Sequence, residues 1–259
     1  MNKLLLIPIS LLIAACGHAD SYSWSVSADT TRFDYAETDA SGLIDTETND
    51  FGDISGFTLA IEPTNIGLYL QTSYAKGTTD YIGGTNLSPT YGSHRTTTDN
   101  RIVDMSAGYK TTAFLDRTGS VKMPIKIGLG YREWVRDIRS TPGVSGYGEV
   151  YDWGYYDIGI GLHFALSPAV TLGADANYRK AFNAQMYENW HGYTFDLKDV
   201  HGYKITVPLE FALDRSWSTF MTYNYEYWNI GASNVINTYY EPDSETKNET
   251  LSIGLKYRY

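Results

Sequence analysis

The chain has 259 residues, with 20 Lys and Arg against 30 Asp and Glu, so its formal net charge is −10. Binding to a phosphate backbone needs a basic surface, so this balance excludes nucleic acid as an expected partner. The single cysteine, Cys16, excludes an intrachain disulfide and a cysteine metal cluster. Aromatic residues make up 15% of the chain and include 23 Tyr, a residue that favours half-buried strands.

The first 19 residues predict an export signal. Lys3 precedes an apolar run over residues 4–15, which is too short to span a membrane as a helix. Two processing routes stay open. The sequence IAAC resembles a bacterial lipoprotein box, which implies that Cys16 is lipidated and becomes the mature N-terminus. The alternative is ordinary cleavage after Ala19, and residues 20–259 are then one domain on either route.

Apolar and polar residues alternate along the whole mature chain, which predicts β-strands. On one such segment, Ile125 and Ile127 flank Lys126. Each segment is long enough to cross a bilayer at a tilt, which takes roughly 9 to 11 residues. The clearest segments are residues 121–132, 156–165, 170–179, 203–213 and 251–259.

Two kinds of connection separate these segments. Short turns occupy residues 62–65, 115–120, 166–169 and 213–216, and longer polar connections occupy residues 36–53, 78–99, 137–150, 182–201 and 231–248. Four short turns that alternate with five long loops predict ten antiparallel strands. Short periplasmic turns and long outer loops are typical of transmembrane β-barrels of the outer membrane.

The polar face of the predicted strands carries both signs of charge. A ten-stranded barrel has a narrow interior, because the diameter grows with the number of strands. Opposite charges on the inner face can therefore pair and fill the lumen. The predicted lumen charge network comprises Lys122, Lys126, Arg132, Asp157, Asp175, Arg179, Lys204, Glu210, Glu226 and Lys256.

The last nine residues, LSIGLKYRY, resemble the terminal insertion signal of outer-membrane β-barrels. Such signals end on an aromatic residue that follows alternating hydrophobic residues and an upstream glycine, and here Gly254, Leu255, Tyr257 and Tyr259 match. The resemblance covers the mature chain at the level of architecture. It implies a location in the outer membrane of a Gram-negative bacterium, recognition by the barrel insertion machinery, and closure of the last strand on the first.

Ten strands and five outer loops also resemble the architecture of omptins, which are outer-membrane proteases. In that family an Asp-x-His pair in the fourth loop works with an Asp-x-Asp pair in the second. Asp199 and His201 match the first pair, and a carboxylate beside an imidazole could make the imidazole a base. The second loop holds Asp80 and Asp99 but no Asp-x-Asp, so half of the family's pattern is missing.

Other candidate residues carry weaker signals. Some outer-membrane enzymes act on lipids through Ser and His, and Ser93, His94, His163 and His191 are candidates that no accompanying pattern supports. No histidine spacing indicates a metal site, and no cofactor is expected. The first and fifth loops are acidic, which suits either binding of a cation or basic ligand, or solubility beside lipopolysaccharide. Their carboxyls are Glu37, Asp39, Asp45, Glu47, Asp50, Asp53, Glu241, Asp243, Glu245 and Glu249.

These observations favour a monomeric, non-enzymatic surface protein with a charge-filled lumen. Its outer loops would bind an external ligand or support envelope integrity, with outer-membrane lipid and lipopolysaccharide as partners. A narrow channel for small solutes is the first alternative, in which the interior charges line a path. An omptin-like protease that uses Asp199 and His201 is the second alternative.

Overall fold

The computed structural model describes residues 21–63, 67–85 and 88–259, so the predicted export signal and Cys16 lie outside the described residues. Within these ranges the chain forms strands and no helices. The strands are β1 Tyr22–Asp39, β2 Gly42–Thr48, β3 Ile54–Pro63, β4 Leu68–Gly83, β5 His94–Phe114, β6 Val121–Ile138, β7 Tyr147–Ser167, β8 Val170–Glu188, β9 Thr194–Asp196, β10 Lys198–Ala212, β11 Trp217–Gly231 and β12 Asp243–Arg258. No helix in the described part of the chain is long and apolar enough to cross a membrane.

The sheet closes on itself. β12 pairs antiparallel with β1 from Arg258 opposite Ser23 to Asp243 opposite Thr38. β2 and β3 both pair with β1 and with β4, so together they form the second strand of the barrel. β9 and β10 both pair with β8 and form the eighth. The described residues thus form a closed barrel of ten antiparallel strands, which confirms the predicted fold class.

The last strand closes the barrel at its aromatic end. The backbone N–H of Tyr259 donates to the carbonyl oxygen of Tyr22 at 2.9 Å, and the two rings stack with centroids 5.4 Å apart. Gly254 and Leu255 pair with Ser27 and Val26 on β1. The predicted insertion signal therefore lies in the strand that removes the free sheet edges, while its recognition by insertion machinery stays a prediction.

The strands are longer than the sequence pattern predicts, and the outer connections are shorter. The predicted first loop, residues 36–53, contains the end of β1 and all of β2, and the predicted fourth loop contains the end of β8 and all of β9. The short turns over 115–120, 166–169 and 213–216 follow the prediction, while the turn over 62–65 lies partly outside the described residues. The strands extend beyond the predicted length because their outer segments also carry inward-facing side chains that are buried inside the barrel.

The outer surface of the barrel carries a band of exposed apolar residues. On β6, Ile127 is 58% exposed, and on β7, Ile158 and Ile160 are 57% and 54% exposed. A soluble protein would bury side chains of this kind, and a bilayer solvates them. Further members of the band are Val26, Phe57, Leu59, Ile125, Leu129, Leu162, Phe164, Leu172, Ile205, Val207, Met221, Leu251, Ile253 and Leu255.

Candidate functional site

The lumen is filled in layers, and the lowest filled layer is a central charge cluster of Lys126, Arg132, Asp157, Arg179 and Glu226. Arg132 Nη1 lies 2.6 Å from one carboxylate oxygen of Glu226, and Arg179 Nη1 lies 2.6 Å from the other. Lys126 Nζ lies 3.0 Å from Asp157 Oδ2. Arg132 comes from β6 and Glu226 from β11, so this pair crosses the lumen. Mutual pairing makes burial of these charges tolerable.

Most of the remaining residues of the predicted lumen network lie nearer the periplasmic end. His163 Nε2 lies 3.0 Å from Asp175 Oδ1, and Lys256 Nζ lies 3.7 Å from Glu210 Oε2. Lys122 is exposed at the periplasmic end of β6. Lys204 instead pairs in register with Glu226 and lines, with members of the central charge cluster, a polar cavity of about 340 Å³. The structure thus brings together half of the predicted residues in one cluster, places Lys204 beside it, and spreads the others along the lower lumen.

An aromatic layer lies directly above the central charge cluster; its members are Phe33, Tyr35, Trp134, Tyr151, Trp153, Tyr155 and Trp228, each at most 2% exposed. Phe33 on β1 meets Trp134 on β6 with ring centroids 5.3 Å apart, and Trp153 meets Trp228 at 5.1 Å. Both contacts cross the barrel. Gly130 makes room for this layer, since a Cβ there would lie 2.1 Å from the Tyr155 ring.

A second charge cluster, the Arg136 cluster, lies above the aromatic layer and comprises Asp45, Glu47, Arg136 and Glu149. The Arg136 guanidinium lies 2.8 Å from Glu47 and 2.5 Å from Glu149, and its carbon lies 4.2 Å from the centre of the Tyr35 ring. Glu47 also accepts hydrogen bonds from Thr79, Thr98 and Asn100. The four charged side chains are 0–5% exposed. The sequence interpretation of Asp45 and Glu47 as loop carboxyls in solvent is therefore wrong.

The outer vestibule is a cavity of about 620 Å³ above the Arg136 cluster. Its wall includes residues from each of the five outer connections in the described part of the chain. Carboxyls and aromatic rings dominate the wall: Glu37, Asp39, Asp45, Glu149, Glu188 and Glu241, with Tyr81, Tyr147, Trp190, His191, Phe195, Tyr239 and Tyr240. A volume of this size is within the range of small-molecule sites.

The vestibule carboxyls belong to the part of the barrel beyond the apolar band, and burial changes their protonation. Burial raises the pKa of Glu241 to about 8 and that of Asp45 to about 6. Burial also raises the pKa of Glu37 well above its usual range, and the neighbouring Asp45 adds to this shift. Tyr35 donates to Glu37 at 3.1 Å, and the Tyr151 hydroxyl oxygen lies within hydrogen-bond distance of both Glu149 and Glu241. These carboxyls therefore keep their protons to a higher pH than solvent-exposed carboxyls do.

The omptin-like candidates do not converge on the vestibule. Asp199 has a φ of 50° at a bulge near the start of β10, its side chain is 71% exposed, and it binds Lys180. His201 Nδ1 donates to the backbone carbonyl oxygen of Asp199 at 2.9 Å. Both alternate with the inward Val200 and so face the outside of the barrel. Asp80 also faces outward, from β4, and four barrel strands separate β4 from β10 in either direction.

The remaining histidine candidates divide between the vestibule and the lumen. His94 and His191 line the vestibule, and His163 lies in the lower lumen. Glu188 orients the fourth connection, because it accepts from the backbone N–H groups of Trp190 and His191 at 2.8 and 2.9 Å. No group of three or more His, Cys, Asp or Glu side chains in the described ranges could hold a metal ion.

The aromatic layer and the Arg136 cluster were not predicted from the sequence, although the alternation of residues along the strands contains a pattern that indicates them. On β7 the large inward residues are Tyr151, Trp153 and Tyr155, and below them the outward residues Ile158 and Ile160 become the apolar ones. The apolar face of the alternation thus changes side near Tyr155. A strand that leaves a bilayer for water should show this change, because the solvent outside the barrel changes from lipid to water.

The closed barrel, the apolar band and the charge-filled lumen together decide the class. The chain is an outer-membrane β-barrel. Among solved structures, the barrel is similar to outer membrane protease OmpT from Escherichia coli, with a TM-score of 0.57 and 11% identity over 93% of this chain and 98% of that chain. At this identity the likeness shows the fold alone.

Two other solved barrels are similar at lower scores. The transport unit of the autotransporter AIDA-I from Escherichia coli has a TM-score of 0.46 and 11% identity over 93% of this chain and 91% of that chain. The translocator domain of the autotransporter NalP from Neisseria meningitidis has a TM-score of 0.40 and 12% identity over 97% of this chain and 94% of that chain. No protein-family model and no curated protein sequence matches the chain.

Proposed function

We propose that the barrel is a non-enzymatic surface protein whose lumen is sealed and whose outer vestibule binds an external ligand. The single observation that carries the proposal is the filled middle of the lumen. The central charge cluster, the aromatic layer and the Arg136 cluster lie one above another between the vestibule and the lower cavity. A wide outer cavity above a closed barrel suits capture of a ligand rather than its passage.

The seal rests on contacts between opposite walls. Arg132 reaches Glu226, Trp153 reaches Trp228, and Arg136 on β6 reaches Glu47 on β2. Trp134, Trp153 and Trp228 are at most 1% exposed, and Arg136 is fully buried. Interiors packed in this way have few voids larger than a water molecule. A narrow channel, the first alternative, would have to break these contacts to conduct.

Conductance in a planar bilayer tests the proposal. Refolded wild-type protein, with folding checked by heat-modifiable gel migration, is expected to give no discrete current steps. A variant in which Trp153 and Trp228 are both replaced by Ala removes the largest cross-lumen contact of the aromatic layer. This double variant is the positive control, and it should give current steps more often than wild-type protein. Steady steps from folded wild-type protein would contradict the proposal and favour the channel.

The protease alternative has its own test. The outward orientation of Asp199 and His201, on the side of the barrel away from Asp80, argues against an omptin-like site at these residues. Wild-type protein in lipopolysaccharide is expected to leave fluorogenic peptides uncut, with His201→Ala as the matched variant. Cleavage by wild type that His201→Ala abolishes would establish the protease and overturn the proposal.

A further inference from the structure

The outer vestibule has an excess of carboxyls without cationic partners. Among the described residues, no basic side chain lies within ion-pair distance of Glu37 or Glu241. Arg136 is shared among Asp45, Glu47 and Glu149, and its nearest approach to Asp45 is 3.6 Å. Arg139 also lines the vestibule, but both ends of its guanidinium bind Asp99, at 2.8 and 2.6 Å. In the described part of the wall, carboxyls therefore outnumber the cationic side chains that could pair with them.

One of these carboxyls has a buried oxygen without a partner. Asp45 is 2% exposed and lines the vestibule, and its Oδ1 has no hydrogen-bond donor among the described side chains when the neighbouring carboxyls are ionised. A buried carboxylate oxygen normally accepts hydrogen bonds, because an unpaired buried acceptor has lost its bonds to water without replacement. An unsatisfied acceptor at the base of a cavity is where a donor group of a ligand would bind.

The upper wall of the vestibule is aromatic. The His191 ring lies 4.5 Å from the Tyr239 ring and 6.0 Å from the Trp190 ring, centroid to centroid. Tyr240 and Tyr147 complete this wall. Aromatic faces attract ammonium groups and the methylene chains attached to them. Carboxyls below and rings above together select an organic cation over an inorganic ion, in agreement with the absence of a metal-binding group in the described residues.

We propose that the outer vestibule binds a small organic cation with two or more ammonium groups, of the linear polyamine kind. One ammonium group would pair with Asp45 and Glu37 at the base. Glu241 lies beside them at the base, and a second ammonium group would pair with Glu188 at the fourth connection, with the methylene chain against the aromatic wall. This inference names the ligand class for the vestibule and so rests on the proposed function.

Binding of such a cation is linked to proton release. Burial raises the pKa values of Glu37, Asp45 and Glu241 in the empty vestibule, and an ammonium group beside them favours their ionised form. Affinity should therefore rise with pH up to about 8. The charged and titratable groups that face these carboxyls are Tyr35 on β1, Glu47 on β2, Tyr81 on β4, Arg136 on β6, and Tyr147, Glu149 and Tyr151 on β7.

Titration calorimetry with spermidine tests the inference, using refolded barrel in zwitterionic detergent at pH 8 and low salt. Wild-type protein is expected to bind spermidine with one site and to release protons, seen as heats that depend on the buffer. Asp45→Asn and Glu241→Gln should each weaken binding about tenfold, as expected when one charge-assisted hydrogen bond is lost. Asp137→Asn removes a carboxyl next to Arg136 on the outward face of β6 and should change affinity less than about twofold.

Wild-type protein also tests the ligand class without any mutation. Glutarate and a neutral triol of similar length should give no heat, whereas spermidine should. Absence of spermidine binding to folded wild type, or equal weakening by Asp137→Asn and Asp45→Asn, would overturn the inference. Conductance steps together with specific spermidine binding would overturn the sealed barrel but keep the ligand class. Absence of current steps together with absence of spermidine binding would overturn the ligand class but keep the sealed barrel.

Discussion

The two halves of the barrel have opposite polarity. In the lower half the outside is apolar, with Ile158 and Ile160 more than half exposed, and the inside carries Asp157 and Arg179. In the upper half the inside is aromatic, with Trp134 buried, and the outside carries residues such as Asp137. The same strands build both halves. The difference shows that the medium outside the barrel, lipid below and water above, determines which face of a strand is apolar.

The lower half should depend most on its buried ion pairs. Glu226→Ala would leave Arg132 and Arg179 without their shared carboxylate, and unpairing a buried charge costs about 3–5 kcal/mol. Urea denaturation in lipid vesicles should show a loss of this size. Glu245→Ala on the outer face of β12 is the matched control, with an expected loss below about 0.5 kcal/mol. Equal losses from the two variants would refute a structural role for the central charge cluster.

The change of polarity along β7 can be tested on its outer face. Ile160→Arg places a charge in the apolar band, where Arg at the middle of a bilayer costs about 2–4 kcal/mol. Val150→Arg makes the same change farther out on the same face, where water solvates the charge, so a loss of about 0–1 kcal/mol is expected. Denaturation midpoints in vesicles give both values. A similar loss at Val150 would place the bilayer higher on the barrel than the apolar band indicates.

The upper half should be the pH-dependent one. The pKa of Glu241 is raised from an ordinary 4.5 to about 8 in the folded barrel, so its contribution to stability is present below pH 4.5 and is lost as pH rises to 8. Glu241→Gln should flatten this decrease, because each unit by which folding raises a pKa corresponds to about 1.4 kcal/mol of stability. Thermal unfolding of wild-type protein and of the Glu241→Gln variant between pH 5 and pH 9 measures how steeply stability falls with pH. An unchanged slope in the variant would contradict burial of an unpaired Glu241.

The smallest effect is expected outside both interiors. His201→Ala removes an outward, partly exposed ring whose polar contacts in the described structure are with Asp199, so the free energy of unfolding should change by less than about 0.5 kcal/mol. Conductance and spermidine binding should also be unchanged. A marked loss of binding would mean that the ring takes part in the vestibule, against its outward position.

Sequence pattern was a good guide to the lower half and a poor one to the upper half. The alternation of Ile125 and Ile127 with Lys126 marks a lipid-facing strand, and β6 has that orientation. Glu37, Asp45 and Glu47 have the composition of a solvated loop, yet they are buried. A short acidic segment with polar neighbours favours the prediction of a solvated loop. The partners across the lumen, which the sequence does not reveal, are what enclose its side chains.

The sequence by itself determined the ten strands, their short periplasmic turns, the apolar band and the mixed charges of the lumen. Each of these features depends on residues that are close together along the chain. The tertiary structure alone decided which charges meet, as with Arg132 and Glu226, which are 94 residues apart. It also decided that Asp199 and His201 face away from the vestibule and that five connections join to enclose it. Strand alternation specifies a face, whereas the partners across a barrel depend on closure, register and tilt of all its strands.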